Sequence, residues 1–229
     1  WAFESRYPFL LLADINSTGA ALSFVRSAQE KGVKAVVGVE LRNDMELKAT
    51  IIARNNRGFH ELNVFLSRYL HDKIDFPERI PHLSNCYVSY PFPGPRYQLN
   101  ENEYIDIQYF NLTDINLKLN NLDLNKLLVL PAMVFRNQRD YNTHRLLRAM
   151  HYNTLLSKLE RSQCARDGYL MDFNTLKQTF APYLLALERT IILLEDCGLT
   201  FDFSEAALPQ NPATFTGSEA EDELLLRNL

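Results

Sequence analysis

Several large functional classes are excluded by what this sequence lacks. It has three cysteines, Cys86, Cys164 and Cys197, widely spaced and without a CxxC pair. They read as reduced thiols used as small buried apolar side chains, in a reducing compartment, and not as a disulfide framework or a zinc site. No apolar run reaches the ~18 residues of a membrane span, and no signal peptide is legible. GxSxG, Walker and GxGxxG motifs are missing, so nucleophile-elbow catalysis and dinucleotide binding have no support. Excess positive charge is missing too. The formal net charge is −4 and the pI about 5.8, which is not the footprint of an autonomous nucleic-acid binder but leaves room for a local basic patch. There is no internal repeat, and no low-complexity tract beyond an Asn/Leu-rich segment at 111–125.

What is present is ordinary globular material. The 229 residues are 46% hydrophobic and 23% charged, enough for one large or two small domains with a core that needs no staples. The chain is organised around residues 8–41. A run of large apolar residues, 9–12, ends at Asp14, and a polar turn, Asn16 to Gly19, follows. Ala21, Phe24, Val25 and Ala28 then fall at helical spacing. Ser17 or Thr18 can cap that helix, and Gly32 sits where a left-handed C-terminal residue is wanted. A second apolar run, 35–39, ends at Glu40. This is a strand–helix–strand unit, whose strands are parallel and whose crossover is right-handed. Asp14 and Glu40 are thereby placed at the carboxyl ends of neighbouring strands, the rim where α/β proteins build their sites.

The rest of the chain alternates similarly. A strand is expected over 47–53, a turn at 55–58 and an amphipathic helix over 59–70 with Phe59, Leu62, Phe65, Leu66 and Tyr69 on one face. Further strands are expected over 86–90, 103–107 and 127–130, with Pro131 stopping the last. Helices are expected over 140–150, from an Asn174 cap to Phe180, and over 183–197 with Gly198 as the closing glycine. Residues 1–9 read as the end of a helix running into the first strand, and 219–229 as the start of a new acidic amphipathic helix.

The stretches Ala13-Asp14-Ile15, Gly19-Ala20, Gly38-Val39-Glu40 and Ala53-Arg54-Asn55 with Gly58-Phe59 occur in a fixed order. His144-Arg145-Leu146-Leu147, Cys197-Gly198 and Phe201-Asp202-Phe203 continue it. In that order the chain resembles the PHP (polymerase and histidinol phosphatase) domain at the N-terminus of the bacterial DNA polymerase III alpha subunit. The resemblance implies an α/β fold, a distorted (β/α) barrel of mostly parallel strands with outer helices. It implies a PHP domain over 1–210 that lacks its first strand. Residues 211–229 would form a linker and the start of the helix leading into the polymerase palm.

An active domain of this family is a metal-dependent phosphoesterase, whose closely spaced cations need many N and O ligands at the carboxyl rim. The resemblance leaves Asp14 and Glu40 as remnant metal ligands. It puts Ile15 where a His would follow Asp14. It also puts Ala132 to Arg136, with a Phe and a cation-repelling Arg, where an Asp-x-His would stand. His144 and His151 are seven apart, about 10.5 Å along one helix, and His60, His71 and His82 read as surface or capping residues. Glu103 and Asp106, the nearest local acidic pair, read as solvated strand residues.

The expectation is therefore a catalytically inactive scaffold or docking domain, with no cofactor of its own. Mg would serve the full-length polymerase, and Zn or Mn would be relevant only if the PHP site were active. The implied partners are the rest of the polymerase chain, the proofreading exonuclease subunit and other replisome subunits, and DNA through the full-length protein. No membrane is implied, and the location is cytoplasmic. Two alternatives stay open: an active metal-dependent phosphoesterase or proofreading exonuclease, and a stand-alone PHP-fold interaction domain.

Overall fold

In the computed structural model of the chain, the described residues are 2–118, 123–159, 168–203 and 216–227. Cys164 and the expected 210/211 domain boundary lie outside them. Six strands form one sheet: β1 Phe9–Ile15, β2 Lys34–Asn43, β3 Glu46–Ala53, β4 Cys86–Pro91, β5 Glu103–Ile107 and β6 Leu127–Val129. They neighbour one another in chain order. β1 and β2 are parallel, β3 is antiparallel to both β2 and β4, and β4, β5 and β6 are parallel. Five strands thus run one way and only β3 opposes them.

The sheet is curled into a half-barrel. β1 and β6 are its two edges, and at about 4.8 Å per strand a flat sheet would hold them some 24 Å apart. Here residues of both line a single cavity of about 480 Å³. The expected distorted barrel of mostly parallel strands with outer helices is the architecture observed.

Two helices pack on the convex face, and a later one lies over the concave face. α1 (Ala21–Glu30) buries Ala21 and Val25 against Val37 and Ala53. α2 (Asn56–Asp72) buries Leu62, Phe65 and Leu66 against Val39, Leu41, Ile51 and Val88. Full burial of such side chains contributes roughly 1.5–3 kcal/mol each. The β2 and β3 backbones approach closely at Gly38, where a Cβ would sit 2.5 Å from the Ile51 carbonyl oxygen. After α2 come the short α3 (Leu112–Lys118), α4 (Gln138–His151) and α5 (Phe173–Thr179). α6 (Leu184–Asp196) follows, then α7 (Glu219–Arg227).

α6 covers the exposed edge of β6 and reaches across to the other side of the half-barrel. The Thr190 hydroxyl accepts from the Val129 N–H at 2.8 Å, and the Arg189 guanidinium donates to the Leu127 carbonyl at 2.9 Å. Leu193 and Leu194 pack with Phe9, Val36, Ile52 and Leu128. Edge backbone groups that would otherwise solicit another strand are satisfied by helix side chains.

Some local expectations are corrected. α1 begins after Ala20, with no side-chain cap. The Ser17 hydroxyl instead accepts from the Gly19 N–H, and Thr18 donates to the Asn63 carboxamide oxygen at 2.6 Å. Those bonds hold the turn and tie it to α2. Gly32 does take the left-handed conformation, at φ +66°. α2 starts at Asn56 because Asn55, in the expected turn, is its cap and accepts from the Gly58 N–H. Asp172, not Asn174, caps α5. Gly198 is not a left-handed cap: Cys197 is already extended, and the Gly198 N–H donates to the Arg54 carbonyl. Residues 2–6 form turns and not a helix end.

Candidate functional site

The carboxyl ends of the parallel strands carry a row of polar side chains on the concave face. Register sets the row. Ile15 pairs with Glu40, Glu40 with Thr50, and Thr50 with Ser89. Paired residues share a face of the pleat and neighbours along a strand alternate, so these side chains line up across β1 to β4. Asp106, at the end of β5, joins the row by accepting from the Ser89 hydroxyl at 3.3 Å. Asp14, Glu40, Thr50 and Gln108 all border the cavity.

Asp14 and Glu40 therefore both stand at the rim, as the sequence places them, but in different settings. Asp14 pairs with Val39, whose side chain faces α2, so on the edge strand β1 Asp14 leaves on the opposite face of the pleat from Glu40 while its residue still borders the cavity. Among the described residues its carboxylate makes no hydrogen bond or ion pair. Glu40 is engaged. The Arg42 guanidinium donates from Nε and Nη2 to Glu40 Oε2 at 2.9 and 2.8 Å, and from Nη1 to the Met45 carbonyl. Two residues apart on one strand, the two side chains share a face.

Asp106 was expected to be solvated and is not: it is 2% exposed, as is Glu103. Glu103 faces the other side of β5, accepting from the Tyr90 hydroxyl and the Asn100 N–H with Arg79 nearby. Asp106 faces the cavity row. Gln108 donates from Nε2 to Asp106 Oδ2 at 2.9 Å and to the Leu130 carbonyl at 2.6 Å, while its Oε1 accepts from the Ala132 N–H at 2.9 Å. One carboxamide thus ties the ends of β5 and β6 together over the buried acid. Burial pushes the Asp106 carboxyl up to about 6, the bonds from Gln108 and Ser89 pull the other way, and the charge of Glu40 adds to the rise.

The segment after β6 does not contribute ligands. Phe135 is buried in an aromatic cluster with Tyr141, Tyr169 and His144, at ring separations of 5.3, 5.7 and 5.1 Å. Arg136, expected beside the site, is instead exposed and paired with Asp140 at 2.8 Å, away from the cavity lining. His144 is held below the ordinary histidine range by burial and by Arg148. None of His60, His71, His82, His144 and His151 lines the cavity. Among the described residues, no three of His, Cys, Asp and Glu stand together as a group able to hold a metal ion. A carboxylate clamped by a guanidinium, a second on the other face and a buried acid bound by a carboxamide do not fit a multi-metal centre.

Sequence reasoning missed Arg42 and Gln108. Arg42 was legible as Glu-x-Arg on one strand face. Gln108 was not, because its partners come from β5 and from the segment after β6.

No protein-family model matches this chain. It is 21% identical over 266 residues to a DNA polymerase III subunit alpha of Haemophilus influenzae, an alignment covering 94% of this chain and 22% of that one. It is 24% identical over 204 residues to a DNA polymerase III subunit alpha of Streptococcus pyogenes serotype M3, covering 86% and 19%. This chain is thus distantly similar, over most of its length, to about one fifth of the polymerase subunits it matches.

Proposed function

We propose that this chain is the PHP domain of a DNA polymerase III alpha subunit whose phosphoesterase site has been lost, and that it serves as a folded support within the polymerase. The observation that carries the reading is the Glu40–Arg42 pair. The carboxylate expected to hold a divalent cation already has a cation of its own, two charge-assisted hydrogen bonds away. Ile15, register-paired with Glu40, supplies no donor beside it. Distant similarity along most of the chain to DNA polymerase III alpha subunits supports the placement.

In this reading DNA-directed DNA synthesis, with its Mg, belongs to the rest of the polymerase chain, in the cytoplasm. The helix α7 leads toward the palm. The support also offers a docking surface to the proofreading exonuclease subunit and other replisome subunits.

The test is a metal analysis of the purified chain, paired with a phosphodiesterase assay in Mn²⁺ and in Zn²⁺ and repeated on the full-length gene product. The expected result is no stoichiometric metal and no hydrolysis. Stoichiometric metal with hydrolysis that disappears in Asp14→Ala would establish an active phosphoesterase or exonuclease instead. A gene product with no polymerase region would establish a stand-alone interaction domain.

A further inference from the structure

At the opposite end of the half-barrel from the carboxyl rim, a polar cleft opens where β4 and β5 begin. Arg54, Tyr87, Asn100, Asn102 and Tyr104 border it. Tyr87 and Tyr104 stand on adjacent parallel strands with ring centroids 6.0 Å apart, edge to face. Each ring carries a cation: the Arg54 guanidinium lies 5.0 Å from the Tyr87 centroid and the Lys126 ammonium 5.1 Å from that of Tyr104.

The cations around this pair are fixed in place: Asp196 offsets Arg54 and Lys34, while Lys126 and Arg189 have no carboxylate paired with them among the described residues. Lys126 donates to the carbonyls of Asn100 and Glu101 at 2.6 and 3.0 Å. Arg189 donates from Nη1 to the carbonyls of Leu124 and Leu127, and its charge reaches Tyr104. Lys34, at the start of β2, donates to the Glu195 carbonyl. Among the described residues none of these three makes an ion pair. Only Arg54 does, with Asp196, which also accepts from the Tyr87 hydroxyl at 2.9 Å. Backbone carbonyls orient a cation without cancelling its charge. Arg189 keeps its Nε and Nη2 protons for another acceptor, and the Lys126 ammonium keeps one. Glu101 is the one acidic residue bordering the cleft.

Two fixed cations without an ion pair among the described residues, Lys126 and Arg189, beside aromatic rings are what a single-stranded nucleic acid requires: phosphates meet the cations and bases meet the aromatic and guanidinium surfaces. We propose that this amino-end cleft, lined by Tyr87 and Tyr104 and flanked by Lys126 and Arg189, binds single-stranded nucleic acid. The site is separate from the carboxyl rim and does not depend on whether that rim is active. It is also the local basic patch that an overall charge of −4 allows.

The experiment is fluorescence anisotropy of a labelled twelve-residue oligo-deoxythymidylate with the 229-residue chain, at low and moderate salt. Binding that weakens steeply with salt is expected. Lys126→Ala and Arg189→Ala should each weaken it several-fold and lower the salt slope by about 1. Tyr104→Leu should weaken binding of the oligonucleotide but not of an abasic strand of equal length. Arg227→Ala, on α7, serves as the control. Thermal melting confirms that each variant is folded. The proposal is overturned by absence of salt-dependent binding, by equal loss in the Arg227→Ala control, or by inorganic polyphosphate competing as well as the oligonucleotide, since the cleft would then read phosphate alone.

Discussion

Ile15 and Glu40 are paired residue for residue across the parallel strands β1 and β2, so an aliphatic side chain stands beside the carboxylate at the carboxyl rim. Ile15 is 57% exposed, and it neither donates nor accepts. Glu40 turns along its own strand to Arg42, whose guanidinium donates two hydrogen bonds to its carboxylate. The rim is held by side-chain bonds between strand ends, and its behaviour should follow from those bonds.

Removing the guanidinium should destabilise the fold. Arg42→Met keeps much of the side-chain volume but leaves a half-buried Glu40 carboxylate without its two charge-assisted donors. A loss of about 1–3 kcal/mol is expected. Urea denaturation measures it, and the double variant with Glu40→Gln should recover part of the loss. A double variant as unstable as the sum of the singles would mean that the pair contributes nothing.

Asp106 should make stability depend on pH. Its folded value, about 6, lies above its ordinary 3.8, so between those values the folded chain holds a proton that the unfolded chain has released. Stability is therefore favoured below about pH 4, falls as pH rises through that window, and carries the full penalty above about pH 6. The span corresponds to roughly 2–3 kcal/mol, at about 1.4 kcal/mol per pH unit. Comparing wild type with Asp106→Asn at pH 4.5 and 7.5 isolates it: the wild type should lose ground to the variant at the higher pH.

Gln108 should act as a clamp. Gln108→Leu removes a donor to Asp106 and both ties to the segment after β6. Hydrogen exchange at the Ala132 amide should rise markedly while exchange in α2 stays unchanged. The pH transition attributed to Asp106 should move upward, because a bond that favours the charged form is gone. Unchanged exchange at Ala132 would show that the segment is held by other contacts.

Gly38→Ala should be costly although it adds one methyl group. The new Cβ would meet the Ile51 carbonyl oxygen at 2.5 Å, a backbone atom that cannot yield without parting β2 from β3. A destabilisation of at least about 2 kcal/mol is expected from such overpacking. Thermal melting is the check, with Gly198→Ala as the comparison, since there the nearest atom is the end of a lysine side chain at 3.9 Å.

Much of the architecture is readable in the sequence. The runs at 9–14 and 35–40, the helix between them and the glycine that ends it carry the periodicities and turn chemistry of a parallel strand pair. The structure has that pair, with Asp14 and Glu40 at its carboxyl ends. Local signals misled where a polar residue had two uses. Ser17 and Thr18 can cap a helix, but their hydroxyls are bonded elsewhere. Asn55 looked like a turn residue and is a cap.

The sequence by itself determined the strands, the main helices and the polar residues available at the strand ends, because apolar period and turn chemistry are local properties. Only the tertiary structure decided which of those residues meet. Register put Ile15 beside Glu40 and turned Asp14 to the other face. The curl of the sheet and the packing of its neighbours buried Asp106, which sequence placed in solvent. The fold of the segment after β6 brought Leu130 and Ala132 to Gln108 and carried Arg136 out to Asp140. α6, crossing the amino end, assembled Arg189 with Lys126 and the two tyrosines from positions far apart in the chain. Pairing between distant segments depends on register and curvature, and neither is written in any local window of residues.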